Sequence, residues 1–215
     1  MKNIKDYDLE DLKQELISIG EKGFRAEQIF KWLYQEKVKN FDEMTNLSLS
    51  LRKELAEHYY IGMCTVEDKY VSKIDGTVKY LFRLFDGEYV ETVVMKYKYG
   101  HTICVSSQVG CKMGCTFCAS TIAGFKRNLA SSEIESQIHC AQNDLGVRIS
   151  HIVMMGIGEP LDNYDNVIKF IKTVNNPDGL CISMRDITVS TCGLVDGIRK
   201  LMKEKLQNIK EEALK

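Results

Sequence analysis

Three cysteines in one short segment are the residues of this sequence best suited to chemistry. Cys111, Cys115 and Cys118 stand in the octapeptide Cys-Lys-Met-Gly-Cys-Thr-Phe-Cys. Their spacing lets three thiolates bind one compact metal centre while a further metal position stays open. Because soft thiolates favour iron-sulfur assembly and an iron without a protein ligand can bind substrate, this pattern indicates a 4Fe-4S cluster with an exchangeable site.

A structural zinc ion is the alternative interpretation of the same thiols. Such a site is normally closed by a fourth side chain. His101 and Cys104 precede the segment, and His139 and Cys140 follow it. Spacing alone therefore leaves both kinds of metal centre open.

The composition bounds the classes of protein that this sequence can form. With 215 residues and 44% hydrophobic content, the chain can build one sizeable core, or one core with a small appended module. The first residues carry charge without the apolar run of a signal peptide, and no stretch resembles a membrane span, so eight cysteines indicate a reducing cytoplasm. The net charge of -1 means that any nucleic-acid site must be a local basic patch.

The N-terminal part of the chain, residues 1–60, reads as a helical module. Asp8 is a plausible N-cap for a helix ending near Gly20, and a second helix has one apolar face. A third helix is expected from about Ser48 to Tyr60. The apolar positions that carry the first two helices are Leu9, Leu12, Leu16, Ile19, Ala26, Ile29, Phe30 and Leu33.

Residues 61–96 predict a three-stranded β-meander linker. The hydrophobic period changes to two, and the Asp-Gly pairs at 75–76 and 86–87 mark tight turns. Glu91 stands among apolar neighbours in the last strand. Such a carboxylate usually lies at the edge of the core with its oxygens in solvent. A partly buried carboxylate with a raised pKa, in contrast, can accept a proton.

In residues 97–215, alternating strand and helix patterns predict an α/β unit of three consecutive βα repeats. Strands at 102–106, 149–155 and 186–190 alternate with helices at 131–145, 162–174 and 195–215, the first of them capped by Ser131 or Ser132. Such repeats form a parallel sheet, whose functional residues gather beyond the carboxyl ends of its strands. The cysteine loop, residues 156–160 and residues 190–193 all fall there.

Two motifs around the cysteines make the sequence similar to a known family. Val105-Ser106-Ser107-Gln108-Val109-Gly110 leads into the thiols, and Gly156-Ile157-Gly158-Glu159-Pro160 follows the second strand. Together they resemble the radical S-adenosylmethionine enzymes and, within them, the RlmN-type methyltransferases, over the chain up to about Gln207. The resemblance implies a partial (βα) barrel, RNA contact by the helical module, and methylation of adenine carbon 2 in 23S rRNA and tRNA. The related class that methylates carbon 8 is an alternative.

The resemblance also implies roles for individual residues. The three cysteines would hold a 4Fe-4S cluster that an external electron donor reduces, and the cluster would cleave S-adenosyl-L-methionine. Gly158, Glu159 and Ser190 match cofactor contacts of the family. Glu91 matches the proton acceptor, and Cys104 matches the cysteine that resolves a protein-RNA crosslink by forming a disulfide.

The sequence also departs from the family pattern. No cysteine follows Cys192, so the methyl-carrying residue has no match, and Cys64, Cys140, Cys181 and Cys192 are expected to be small buried hydrophobes. The second half of the barrel is not matched either, and residues 208–215 are polar and helix-forming. We therefore expect a truncated form of low or no activity; a catalytically dead product and a zinc or RNA-binding module are the alternatives. Its exposed edge at 186–190 predicts self-association.

Overall fold

The structure is a computed structural model and describes residues 1–204. Its regular elements follow the predicted order, helices first, then strands, then alternating strands and helices. They are β1 (Lys2–Asn3), α1 (Leu9–Ser18), α2 (Arg25–Tyr34), α3 (Leu49–His58), β2 (Tyr59–Tyr60), β3 (Thr65–Val71), β4 (Val78–Arg83), β5 (Tyr89–Tyr97), β6 (Gly100–Cys104), β7 (Gln108–Gly110), β8 (Phe125–Asn128), α4 (Ser131–Leu145), β9 (Ile149–Met154), α5 (Tyr164–Asn175), β10 (Ile187–Val189) and α6 (Val195–Leu201).

The three N-terminal helices form where the sequence predicts them. The Asp8 carboxylate accepts a hydrogen bond from the Asp11 N–H at 2.8 Å, and the Ser48 hydroxyl accepts one from the Leu51 N–H at 3.2 Å. These bonds satisfy donors that the first turn of a helix leaves free. The helices bury an apolar cluster of their own, which includes Leu12, Leu16, Ile29, Phe30 and Leu55.

One six-stranded sheet spans the rest of the described chain, in the order β10-β9-β6-β5-β4-β3. Strands β6, β9 and β10 are parallel, as predicted, and β3, β4 and β5 form the predicted meander. Strand β5 also pairs directly with β6, with Met95 opposite Thr102. The meander and the parallel strands therefore share one sheet.

The two faces of this sheet differ. On one face Val94, Ile103 and Ile152 stand side by side and pack with Ile138 of α4 and Phe170 of α5, all buried. The other face, which we call the open face, carries Glu91, Val93, Cys104, Val153 and Met155, since Val93 pairs with Cys104 and Cys104 with Val153. These five residues are half-buried or exposed.

Two local predictions require correction, and one pair of strands was not predicted. Helix α4 has Ala130 as its N-cap and the Glu133 carboxylate accepts the Ala130 N–H at 2.9 Å, so a cap at Ser131 or Ser132 was wrong. The pair β7–β8 was not predicted. Helix α6 ends at Leu201, earlier than expected, and the rest of the predicted helix at 205–215 lies outside the described residues. Within residues 1–204, no helix is long and apolar enough to cross a membrane.

Candidate cofactor site

A cavity of about 360 Å³ opens where the chain leaves the carboxyl ends of the parallel strands. Three separate segments line it: the cysteine loop, the turn after β9 and the turn after β10. The structure therefore brings together the residues predicted to bind the cluster and those predicted to bind the cofactor. Those lining residues are Cys111, Cys115, Cys118, Gly158, Glu159 and Ser190.

The cysteine loop is enclosed by the β7–β8 hairpin. Gln108 pairs with Asn128 and Val109 with Arg127. At the base of the loop the Cys111 N–H donates to the Gly124 carbonyl at 3.2 Å. Gly110, with φ of +72°, lies so close that a Cβ there would sit 1.7 Å from that carbonyl oxygen. Glycine is required at this position because any side chain would force the hairpin apart.

The three thiols are free; Cys111 is buried, and Cys115 and Cys118 are half-buried. A tetrahedral zinc ion bound at about 2.3 Å holds its sulfur ligands about 4 Å apart. In residues 1–204, no three His, Cys, Asp or Glu side chains are grouped to hold such an ion. Three thiolates at one cavity are the donor set of a 4Fe-4S cluster with one open iron, since each thiolate binds a different iron.

None of the four residues considered as a closing zinc ligand lines the cavity. His101, Cys104, His139 and Cys140 are absent from its wall. His139 and Cys140 are buried within α4. The wall instead includes Cys192, which the sequence predicted to be a small buried hydrophobe.

Cys192 and Cys181 are exposed, so this prediction was wrong for both, whereas Cys64 and Cys140 are buried as expected. Partial desolvation, followed by a hydrogen bond with the Glu159 carboxylate and the charges of Glu159 and Cys115, raises the pKa of Cys192 to about 11. Cys192 is therefore a neutral thiol at neutral pH. It was missed because a strand-end turn gives no sign of which way its side chains point.

The turn of residues 156–160 packs closely against residues 105–108. The Gly156 N–H donates to the Val105 carbonyl at 3.1 Å, and the Ile157 carbonyl accepts the Ser107 N–H at 2.9 Å. Gly158 has φ of +105°, and a Cβ there would lie 2.5 Å from Cβ of Gln108. Glycine is thus required at position 158 by its left-handed backbone and by the close approach of Gln108.

Glu159 lies at the cavity, but its carboxylate bonds within the protein. The side chain is almost fully buried. Its two oxygens accept the N–H groups of Leu161 at 2.9 Å and Cys192 at 2.7 Å. Glu159 thereby ties the turn after β9 to the turn after β10. The Glu159 N–H in turn donates to Oε1 of Gln108 at 2.9 Å.

Gln108 was not singled out from the sequence, although it stands in the motif that carries the resemblance. It is fully buried. Its Nε2 donates to Asn128 at 2.7 Å and to Asp162 at 2.8 Å. One amide side chain therefore joins the hairpin, the Glu159 turn and the segment that leads into α5.

Glu91 and Cys104 lie on the open face and do not line the cofactor cavity. The Glu91 side chain is 46% exposed and its Oε1 lies 2.7 Å from Nζ of Lys79. It lines a neighbouring cavity of about 370 Å³, and Ser120 borders both cavities. Burial raises the pKa of the Cys104 thiol.

A solved structure shares this fold. The crystal structure of a radical SAM methyltransferase from Sphaerobacter thermophilus superposes with a TM-score of 0.87 and 37% sequence identity, over 96% of this chain and 62% of that one. The mixed α/β fold is therefore that of a radical S-adenosylmethionine methyltransferase.

Sequence comparisons identify the kind of methyltransferase that the chain is similar to. Residues 2–61 match the ribosomal RNA large subunit methyltransferase N-terminal domain. Proteins named probable dual-specificity RNA methyltransferase RlmN are 54% identical in Clostridium novyi and 56% identical in Clostridium acetobutylicum, each over 96% of this chain. The chain is therefore a homologue, over nearly its whole length, of proteins named as RlmN RNA methyltransferases. It spans 60% of the length of these two relatives.

Proposed function

We propose that this chain forms the cluster-binding and cofactor-binding part of a radical S-adenosylmethionine methyltransferase that acts on carbon 2 of adenine in 23S rRNA and tRNA. The observation that carries the proposal is the shared cavity of the three motif cysteines and the glycine-rich turn. Sequence similarity supports the RNA substrate, because the relatives are named dual-specificity RNA methyltransferases. The sheet would be the first part of the family's barrel.

Cys111, Cys115 and Cys118 would hold a 4Fe-4S cluster. When bound, the cluster and S-adenosyl-L-methionine supply one-electron chemistry that no side chain offers, with electrons from an external donor. The protein would position the cofactor and exclude water from it. Gly158 and the backbone of Glu159 would meet the cofactor at one wall, and Ser190 at the opposite strand end.

Glu91 would serve as the proton acceptor. Its ion pair with Lys79 fixes the carboxylate on the open face, beside the second cavity. Cys104 would act as the resolving cysteine. Because burial raises its pKa, Cys104 is held as a thiol and needs a base before it can attack as a thiolate.

The helical module would contact RNA. It matches the family's N-terminal domain over residues 2–61 and has its own core, which holds its surface side chains in place. With a net charge of -1 for the whole chain, contact with phosphates must come from local cations. Lys31 is one such candidate: its side chain is 52% exposed, and its ion pair with Asp178 at 3.3 Å would have to be exchanged for a phosphate.

Anaerobic reconstitution with iron and sulfide tests the proposal. We expect absorption typical of a 4Fe-4S cluster and, after addition of dithionite and S-adenosyl-L-methionine, release of 5'-deoxyadenosine. Cys118→Ala should abolish both, whereas Cys181→Ala, which removes an exposed thiol outside the cavity, should leave both unchanged. Stoichiometric zinc without iron uptake would contradict the proposal.

RNA methylation is measured in the same reactions. We expect little or none from this chain, because the family's methyl-carrying cysteine has no match, and a Clostridium novyi relative serves as the positive control. Mass spectrometry of digested 23S rRNA fragments and tRNA locates the methyl group. A carbon 8 product from the relative would contradict the carbon 2 assignment.

A further inference from the structure

The hydroxyl of Ser106 connects two segments that the proposed function assigns to different tasks. We propose that Ser106 is a positioning residue that holds the turn of residues 156–160 at a fixed distance from strand β5, where Glu91 lies. The inference rests on the proposed function, since it takes this turn as part of the cofactor site. Ser106 itself does not line the cofactor cavity and has no exposed surface, so it would act through the backbones that it joins.

Two hydrogen bonds define the connection. The Ser106 hydroxyl donates to the Glu91 carbonyl at 2.6 Å and accepts from the Ile157 N–H at 2.9 Å. Ser106 has no exposed surface. One oxygen atom therefore links the backbone of the predicted proton acceptor to the backbone of the predicted cofactor turn, without water between them.

Gln137 of α4 fixes Ser106 from the other side. Its Oε1 accepts the Ser106 N–H at 2.9 Å and its Nε2 donates to the Ser106 carbonyl at 2.9 Å. The same Oε1 accepts the Thr92 hydroxyl at 2.7 Å. Because the Gln137 side-chain amide is hydrogen-bonded to both the N–H and the carbonyl of Ser106, the Ser106 hydroxyl has little freedom to move with the turn.

Gly156 packs directly on this junction. A Cβ at Gly156 would lie 2.7 Å from Oγ of Ser106 and 2.7 Å from the Val105 carbonyl oxygen. The turn has no room to slide toward Ser106, and the hydrogen bond prevents it from moving away. Close packing and the hydrogen bond together fix the position of the turn relative to Ser106.

Ser107 supplies a matched control in the next position. It is also buried, at 2% exposure, and its hydroxyl has no hydrogen-bond partner within the described residues. Ser107→Ala therefore removes a buried hydroxyl without breaking a bond. Ser106→Ala removes the same atom but leaves a carbonyl and an N–H unpaired.

The first measurement is hydrogen exchange of the Ile157 amide in the full chain. We expect Ser106→Ala to accelerate this exchange roughly tenfold or more, as loss of a buried hydrogen bond does, while Ser107→Ala changes it little. Ser106→Cys, which keeps a weak acceptor of similar size, should fall between. Equal Ile157 exchange in the Ser106 and Ser107 alanine variants would overturn the inference.

The second measurement is binding of S-adenosyl-L-methionine to the reconstituted chain. We expect roughly tenfold weaker binding for Ser106→Ala, partial rescue by Ser106→Cys and unchanged binding for Ser107→Ala. Unchanged affinity in Ser106→Ala would also overturn the inference. If the unsubstituted chain binds no cofactor, the proposed function fails, and the exchange rates still decide whether Ser106 positions the turn.

Discussion

Lys5, near the N-terminus, and Glu135, in helix α4, form an ion pair in the protein interior, where neither side chain is more than 1% exposed. The Lys5 ammonium also lies 5.2 Å from the centre of the Tyr34 ring. The pair joins the N-terminal helical module to the helix that carries Gln137. Since a buried charge without a partner is costly, each residue depends on the other.

Removing one member of this pair should destabilise the chain strongly. We expect Lys5→Met to lower the free energy of unfolding by about 3–5 kcal/mol, because it leaves a buried carboxylate unpaired. The control is Lys200→Met, which breaks an exposed pair with Asp165 and should cost less than about 1 kcal/mol. Urea denaturation measures both. Similar losses for the two variants would contradict the structural role of Lys5.

The stability that Glu135 contributes should depend on pH. Burial raises the pKa of Glu135, but attraction to Lys5, with a hydrogen bond and attraction from His139, outweighs burial and lowers the pKa to about 2. The ordinary value is 4.5, so the contribution is present above pH 4.5 and is lost as the pH falls toward about 2.

A comparison with Glu135→Gln isolates this effect. We expect the difference in unfolding free energy between the two proteins to be constant above pH 5 and to shrink below pH 4.5, because Glu135 then takes up a proton in the unfolded chain while the native carboxylate stays ionised down to about pH 2. Denaturation at a series of pH values measures it. A difference that grows on acidification would show that the pKa is not lowered.

Substitution of Gly158 should separate backbone strain from steric overlap. Gly158→Ala imposes φ of +105° on alanine and places Cβ 2.5 Å from Gln108, whereas Gly87→Ala imposes φ of +86° in open space. We expect a loss of about 1–3 kcal/mol for Gly87→Ala and a larger loss for Gly158→Ala. Equal losses would mean that the turn of residues 156–160 can move away from Gln108.

The two edges that the sheet has within residues 1–204 predict where copies of this chain associate. Edge strand β3 carries Glu67, Asp68 and Lys69, whose charges oppose strand pairing, but edge strand β10 is Ile187-Thr188-Val189. We expect concentration-dependent association in light scattering, and Thr188→Lys should reduce it. Thr65→Lys, on the already charged edge, should not. A monodisperse monomer at all concentrations would contradict the prediction.

Patterns within the sequence were sufficient for most of the fold. Asp8 and Ser48 mark helix starts because a cap acts on residues within one turn. The Asp-Gly pairs predicted the meander. The apolar run at β9 predicted a strand covered on both faces; the strand forms, but only one of its faces is covered, since Val153 is half-buried on the open face. The short β7–β8 hairpin was missed, since three- and four-residue strands give almost no periodicity.

Interactions between distant segments were not predictable in the same way. The sequence indicates that Glu159 belongs to a turn, but not that its carboxylate bonds to the Cys192 N–H. The buried contact of Gln137 could have been recognised from the sequence. Gln137 lies on the apolar stripe of Ile134, Ile138 and Ala141, where a polar residue implies a buried partner. Glu91 illustrates the reverse case, since its position on the strand was predictable and its pairing with Lys79 was not.

The central claim is that Cys111, Cys115 and Cys118 bind one iron-sulfur cluster. Iron content after anaerobic reconstitution tests it most directly, in the unsubstituted chain, in Cys115→Ala and in Cys181→Ala. We predict about four irons per chain for the first and the last, and a large loss of iron in Cys115→Ala. Equal iron content in all three proteins would contradict the account.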